Sequence, residues 1–177
     1  MKLDIPQFKL LKVLILTAKH KPDIEKLQLI NQFFNNRIRY STDKEVWGVN
    51  EYWASLYEFL EKSAGDCDDF SIAKYFALKY TGIEENNLKI LYSKLLTTGE
   101  SHMVLVYCGS EILVLDNKID NILTLSDRSD LLPILGFNSF GLWTFKQNKF
   151  KLVTQNSNRL VRWRELQERM KNIERNM

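Results

Sequence analysis

With 177 residues, 45% hydrophobic and 27% charged, the chain has the composition of a soluble globular protein and the length to bury a real core in a single domain, 1–177. Its net charge of +3 is dispersed, and no basic run alternates with aromatics, which argues against a nucleic-acid partner. Two cysteines, Cys67 and Cys108, give neither a disulfide framework nor a CxxC metal pair, and no apolar run is long enough to span a bilayer.

The best apolar run, Leu10 to Ala18, is interrupted by Lys12 and reads as a short helix. It makes a poor signal peptide, because Asp4 and Pro6 precede it and no small-residue cleavage site follows. After the break at Lys21-Pro22-Asp23, Asp23 is the expected N-cap of a helix with Ile24, Leu27, Ile30, Phe33 and Phe34 on its buried face. Ile38 to Tyr40 reads as extended, Ser41-Thr42-Asp43 as a turn, and Glu45 to Trp53 as an irregular aromatic stretch. A short helix is expected over Ser55 to Lys62, and a central one over Cys67 to Tyr80.

Beyond Thr81-Gly82 the period changes to that of strands. Leu88–Leu96, His102–Cys108 and Glu111–Leu115 are candidates, the last two joined as a hairpin near Gly109-Ser110. Leu142–Phe145 and Phe150–Val153 form another pair. Ser157 to Met177 reads as an exposed, charged helix, with Arg159, Arg162 and Arg164 on a solvated face. Its charges lack the seam of a coiled coil, so a monomer is expected. Helices first and an antiparallel sheet afterwards make the class α+β.

The chemistry concentrates at Gly65-Asp66-Cys67-Asp68-Asp69. A turn here delivers a cysteine to the first turn of a helix, where free backbone N–H groups and the helix dipole stabilise a thiolate. A buried, inert thiol is the competing reading. Of the two histidines, His20 sits in a lysine-rich turn, whereas His102 opens a strand. Asp116 ends the next strand. A three-residue loop over 108–110 places His102 opposite Asp116, one over 109–111 makes them diagonal neighbours on the same face, and a two-residue turn would put them on opposite faces. Cysteine, histidine and aspartate so placed form a nucleophile, a base and its orienting acid. The Cys67 N–H is one candidate oxyanion donor and Trp53 a second.

Carboxylates at Asp66, Asp68 and Asp69 oppose activation, since like charge raises a thiol's pKa. Either they only cap the helix, or a hard cation such as Ca²⁺ neutralises them. Zinc has no His/Cys ligand set here.

Together, Asn31-Gln-Phe-Phe-Asn35, Trp47-Gly48, Glu51-Tyr-Trp53, Gly65-Asp-Cys-Asp-Asp-Phe70, Ile72-Ala-Lys-Tyr75, His102-Met-Val-Leu105, Leu115-Asp-Asn117, Phe137-Asn138 and Gly141-Leu-Trp143 resemble the bacterial transglutaminase-like cysteine proteinases of the LapG type. The resemblance covers roughly Leu10 to Met170 and implies a papain/transglutaminase-like fold, with the nucleophile's helix packed on an antiparallel sheet. It implies a Cys67, His102 and Asp116 triad, with Ca²⁺ near Asp66 and Asp68 and a further contribution from Asp69. It also implies a periplasmic protease that cuts a large surface adhesin near its N-terminus, at a small-residue site containing Ala-Ala, and so releases a biofilm. An inner-membrane cyclic di-GMP receptor would sequester it. Two positions depart from the pattern: Asp68 stands where Glu is usual, and Asn50-Glu51 where an Asp precedes Tyr-Trp. A transglutaminase-type acyl transferase or amidase uses the same triad, and a silent calcium-dependent binding module is the non-enzymatic alternative.

Overall fold

The computed structural model describes residues 5–175. Six α-helices are found there: α1 (Pro6–Ala18), α2 (Asp23–Arg37), α3 (Asp43–Trp47), α4 (Leu56–Lys62), α5 (Cys67–Tyr80) and α6 (Val161–Arg175). Nine strands accompany them: β1 (Arg39–Tyr40), β2 (Ala64–Gly65), β3 (Leu88–Leu95), β4 (Ser101–Cys108), β5 (Ile112–Leu115), β6 (Leu123–Thr124), β7 (Leu131–Asn138), β8 (Gly141–Lys146) and β9 (Lys149–Thr154). β1 and β2 form a short parallel pair, and the other seven form one antiparallel sheet in the order β6-β5-β4-β3-β7-β8-β9. The α+β expectation holds.

Helix α5 is the axis of the molecule. Every side chain from Asp68 to Leu78 is buried, so it is apolar around most of its girth rather than on one stripe. It packs on β3 and β4 and is flanked by α2, α4 and α1. The main core joins Phe34, Phe59, Tyr75 and Phe76 from the helices to Ile90, Met103, Leu105 and Leu115 from the sheet. A second cluster, built around Leu91, Val104, Val106 and Val114, lies on the opposite face of the curled sheet. Both faces of β3 and β4 are therefore buried, which is why these strands read as nearly continuous apolar runs.

Several local expectations change. Asp23 is the first helical residue of α2, not its cap, and its carboxylate takes the Lys26 ammonium at 3.1 Å and the Tyr107 hydroxyl at 3.0 Å. The stretch expected to be irregular begins with helix α3, whose Glu45 carboxylate accepts the Thr42 N–H at 3.1 Å. Strand β7, next to β3 in the sheet, was not anticipated, because Pro133 and Gly136 break its pattern. The register shifts between Tyr92 and Ser93, and Pro133 lies beside that irregularity, where a missing N–H is tolerated. Finally, α6 is not an exposed helix. Trp163, Leu166 and Met170 recur on one face and are almost wholly buried, with Trp163 against Tyr75, Phe76 and Phe137.

Candidate active site

Cys67 is the first residue of α5, and Asp66 before it is the N-cap, accepting the Asp68 N–H at 3.2 Å. Gly65 is required by close approach, since a Cβ there would collide with the Asp69 carboxylate and lie 2.7 Å from the Phe59 ring. Its carbonyl accepts the Ser41 N–H at 2.8 Å, fastening the turn to β1. The Met103 N–H, from β4, hydrogen-bonds the Cys67 sulfur. Even so, burial, and then the charges of Asp66 and Asp68, push the thiol up to about 12.

The β4–β5 hairpin pairs Cys108 with Ile112 and Leu105 with Leu115, so its loop is Gly109, Ser110 and Glu111. This is the diagonal register. His102 Nε2 and Asp116 Oδ1 lie 2.8 Å apart, with both side chains 1% exposed. The other ring nitrogen, Nδ1, is buried and has no hydrogen-bond partner. Asp116 Oδ1 also accepts the Lys118 N–H at 2.9 Å, and Oδ2 lies 2.8 Å from the Arg128 guanidinium. Burial alone would raise this carboxyl. The His102 bond, the Lys118 N–H and the Arg128 charge outweigh it and hold it down to about 2.

Arg128 is a site residue that sequence reasoning missed. It is 4% exposed and spans Asp116 and Asp130, bonding the latter through two nitrogens at 2.8 Å each. Its only local signal is the Arg-x-Asp spacing, which is common on surfaces.

The carboxylates around Cys67 divide into two groups. Single oxygens of Asp43, Asp66 and Asp68 all lie within 4.8 Å of one another. Asp69 faces elsewhere, accepting the Ala54 N–H at 2.7 Å. Asp43, 23 positions upstream of Asp66 and expected in a turn, thus stands with Asp66 and Asp68 of the expected set, and Asp69 lies outside this grouping. Asp43 Oδ1 and Asp68 Oδ1 are buried without partners. Burial raises Asp43 to about 6 despite the Tyr52 N–H it accepts at 2.6 Å. Burial and the neighbouring Asp66 and Asp69 charges raise Asp68 well above the carboxylate range. Crowded, desolvated carboxylate oxygens fit a hard divalent ion.

Cys67, His102, Asp66 and Asp68 open on one cleft of about 610 Å³, walled by Tyr40, Trp53, Tyr92 and Arg162. The Trp53 ring stacks on Phe137 with centroids 5.5 Å apart. Its backbone is held on three sides: Asp43 takes the Tyr52 N–H, Asp69 takes the Ala54 N–H, and Arg169 donates to the Trp53 carbonyl. Arg159, Arg162 and Arg164 are exposed, as expected of a solvated face, and Arg162 there borders the cleft and pairs with Glu51 at 3.0 Å.

Comparison with known proteins places the fold in a family. The family profile described as bacterial transglutaminase-like cysteine proteinase BTLCP matches residues 12–130. Legionella pneumophila LapG is 38% identical, with a TM-score of 0.81 over 93% of this chain and 87% of that one. The calcium-bound form of Legionella pneumophila LapG is 36% identical, with a TM-score of 0.83 over 96% of this chain and 93% of that one. An EGTA-treated form gives 38% identity and a TM-score of 0.83, covering 93% and 88% of the two chains. A search of curated protein sequences finds no match. With a cysteine at a helix start, a histidine and a carboxylate beside it, and a matching profile over most of its length, the chain belongs to the bacterial transglutaminase-like cysteine proteinases.

Proposed function

We propose that the protein is a calcium-dependent cysteine endopeptidase with Cys67 as nucleophile, His102 as general base and acid, and Asp116 as orienting acid. The observation that carries this reading is the buried His102–Asp116 pair, anchored by Arg128, opening on the cleft that holds Cys67.

Asp116 occupies Nε2 of the imidazole, which leaves Nδ1 to exchange a proton with Cys67. The thiol gives its proton to Nδ1, and the sulfur attacks the scissile carbonyl carbon. The tetrahedral oxyanion is met by the Cys67 N–H at the start of α5, with Trp53 as a second donor from the facing wall. Collapse breaks the C–N bond, and His102 returns its proton to the departing amine. Water, deprotonated by His102, then hydrolyses the thioester and restores the thiol. Asp43, Asp66 and Asp68 would hold Ca²⁺, whose positive charge beside Cys67 would offset the carboxylates that now raise its thiol.

The substrate we propose is a large surface adhesin, cut near its N-terminus at an Ala-Ala-type site in the periplasm to release biofilm attachment. The family resemblance supports it, and so do the bulky walls of Tyr40, Trp53 and Tyr92, which favour small side chains at the scissile bond. The proposed regulator is an inner-membrane cyclic di-GMP receptor. Among the described residues no helix is long and apolar enough to cross a membrane.

The test is cleavage of an adhesin N-terminal region with and without a calcium chelator, beside Cys67→Ala. Cleavage that requires Cys67 and stops on chelation is the expected result. Ammonia release with an intact backbone would instead identify an amidase or acyl transferase.

A further inference from the structure

The first helix lies on the outside of the molecule without the polar outer face that a surface helix carries. Only Leu11 and Ala18 of α1 are buried, with Phe8, Leu14 and Ile15 packed beside the core. Leu10, Val13 and Leu16, three residues apart on the far side, are 46%, 61% and 54% exposed. Thr17 shares that side, but its hydroxyl turns back on the helix and donates to the Val13 and Leu14 carbonyls at 3.1 and 2.9 Å. A helix that is apolar on both sides belongs in an interior or against a second apolar phase. Helix α6 shows the contrast, since Arg164, Glu165 and Glu168 cover the side that Trp163, Leu166 and Met170 leave outside.

The charge around this face has one sign. From residue 5 to residue 22 the chain carries Lys9, Lys12, Lys19 and Lys21 and neither aspartate nor glutamate. Lys21 pairs with Glu25 at 2.9 Å, whereas Lys12 and Lys19 are exposed and form no ion pair among the described residues. Both ammonium-bearing side chains line a groove of about 370 Å³ between α1, α4 and the end of α5. Its other walls include Phe8, Leu16, Leu56 and Tyr57, the Phe8 and Tyr57 rings lying 4.9 Å apart, and no carboxylate lines it. An apolar surface fringed by ammonium groups complements an anionic bilayer, where acyl chains lie beneath a layer of phosphate charge. The location leaves the cleft free: Tyr80 of the groove ends α5 and Cys67 begins it, 13 residues or about 20 Å apart along the helix.

We propose that α1 and its groove form a docking surface for an anionic lipid bilayer, with Leu10, Val13 and Leu16 among the acyl chains and Lys12 and Lys19 at the level of the phosphates. The helix lies in the plane of the interface, because its 13 residues extend about 20 Å and fall short of a span. The surface is independent of the chemistry assigned to Cys67, so either reading can fail without the other.

Flotation of the full chain with vesicles reads the binding directly. Vesicles of phosphatidylcholine alone are compared with vesicles of equal parts phosphatidylcholine and phosphatidylglycerol. Each is run at about 0.1 M and about 1 M salt, where the screening lengths are about 10 and about 3 Å. The expected result is binding to the mixed vesicles at the lower salt, little to phosphatidylcholine, and a large loss at the higher salt. Lys12→Gln with Lys19→Gln should weaken binding to the mixed vesicles about thirtyfold. Leu10→Gln with Val13→Gln should weaken it at least about tenfold at unchanged charge. All four side chains are exposed, so both variants should melt with the wild type by circular dichroism. If the apolar variant melts early, Leu10→Ala with Val13→Ala takes its place under the same expectation. No binding to mixed vesicles, equal binding to both compositions, or binding that either double variant leaves unchanged overturns the proposal. A dimer in sedimentation that Leu10→Gln with Val13→Gln dissociates, found in place of vesicle binding, overturns it too and assigns the face to a second copy of this chain.

Discussion

Asp116 and Asp68 are both buried carboxylates of one site, yet they stand at opposite ends of the ionisation scale. Asp116 meets His102, the Lys118 N–H and Arg128, and is held down to about 2. Asp68 is surrounded by Asp43, Asp66 and Asp69 and is pushed well up. Desolvation acts on both, so the difference is the company each keeps. The sheet half of the site is electrostatically complete within the chain. The helix half keeps buried oxygens on Asp43, Asp68 and Asp69 without hydrogen-bond partners. One half holds its carboxylate ionised, and the other crowds its carboxylates together.

The most severe way to break this division is to remove the proposed nucleophile. Cys67→Ala should lower cleavage by at least about a thousandfold without unfolding the protein, as measured by turnover beside circular dichroism. The sheet half is probed by Arg128→Met, which leaves Asp116 Oδ2 without its cation. Chemical denaturation should show a loss of about 3 kcal/mol, with impaired activity in what still folds. A loss below about 1 kcal/mol would mean that Asp116 is satisfied without Arg128.

The helix half should answer to metal. Calcium at about a hundred times its Kd should stabilise the wild type by about 2.7 kcal/mol, read as a rise in Tm, and Asp43→Asn should abolish most of that rise. If Asp69→Asn abolished it and Asp43→Asn did not, the grouping of Asp43 with Asp66 and Asp68 would be wrong.

The two halves should also respond to pH with opposite sign. Asp116 is depressed on folding, so its contribution is present above the ordinary Asp pKa and is lost as pH falls towards about 2. Asp43 and Asp69 are raised on folding, to about 6 and about 8. Without a cation the native state therefore binds more protons, and stability falls as pH rises from about 4 through those values. Urea melts across pH, with and without chelator, separate the two limbs. Calcium should flatten the upper one and leave the lower one unchanged.

The smallest effect belongs to the cleft rim. Glu51 and Arg162 are more than half exposed, so breaking their pair with Glu51→Gln should cost less than about 1 kcal/mol of stability. Any change should appear in KM rather than kcat, because the pair borders the cleft and does not meet the reacting atoms.

The parts of this protein written locally in its sequence are those whose physics is local. A Gly-Asp-Cys turn before an alanine- and aromatic-rich run gives a capped helix with cysteine at its start, whatever packs around it. His102 and Asp116 were legible because a three-residue hairpin loop constrains which residues share a face. The loop position itself was not, and the diagonal register emerged only with the strands paired.

What tertiary structure alone decided is every contact between distant segments. Asp43 joins Asp66 and Asp68 because α3 folds back beside the start of α5. Arg128 reaches Asp116 from beyond β6. Strand β7 was hidden by Pro133 and Gly136, which its neighbours accommodate at a register shift and under the Phe150 ring. The charges of α6 concealed Trp163, because one helical face of apolar residues is enough to bury a helix that is otherwise polar. Sequence by itself determined the helix that begins at Cys67 and the strand pair that carries His102 and Asp116, since neighbouring residues suffice for both. The burial that tunes their charges is a property of the packed interior, where solvent is excluded and a carboxylate's pKa depends on which distant residues reach it.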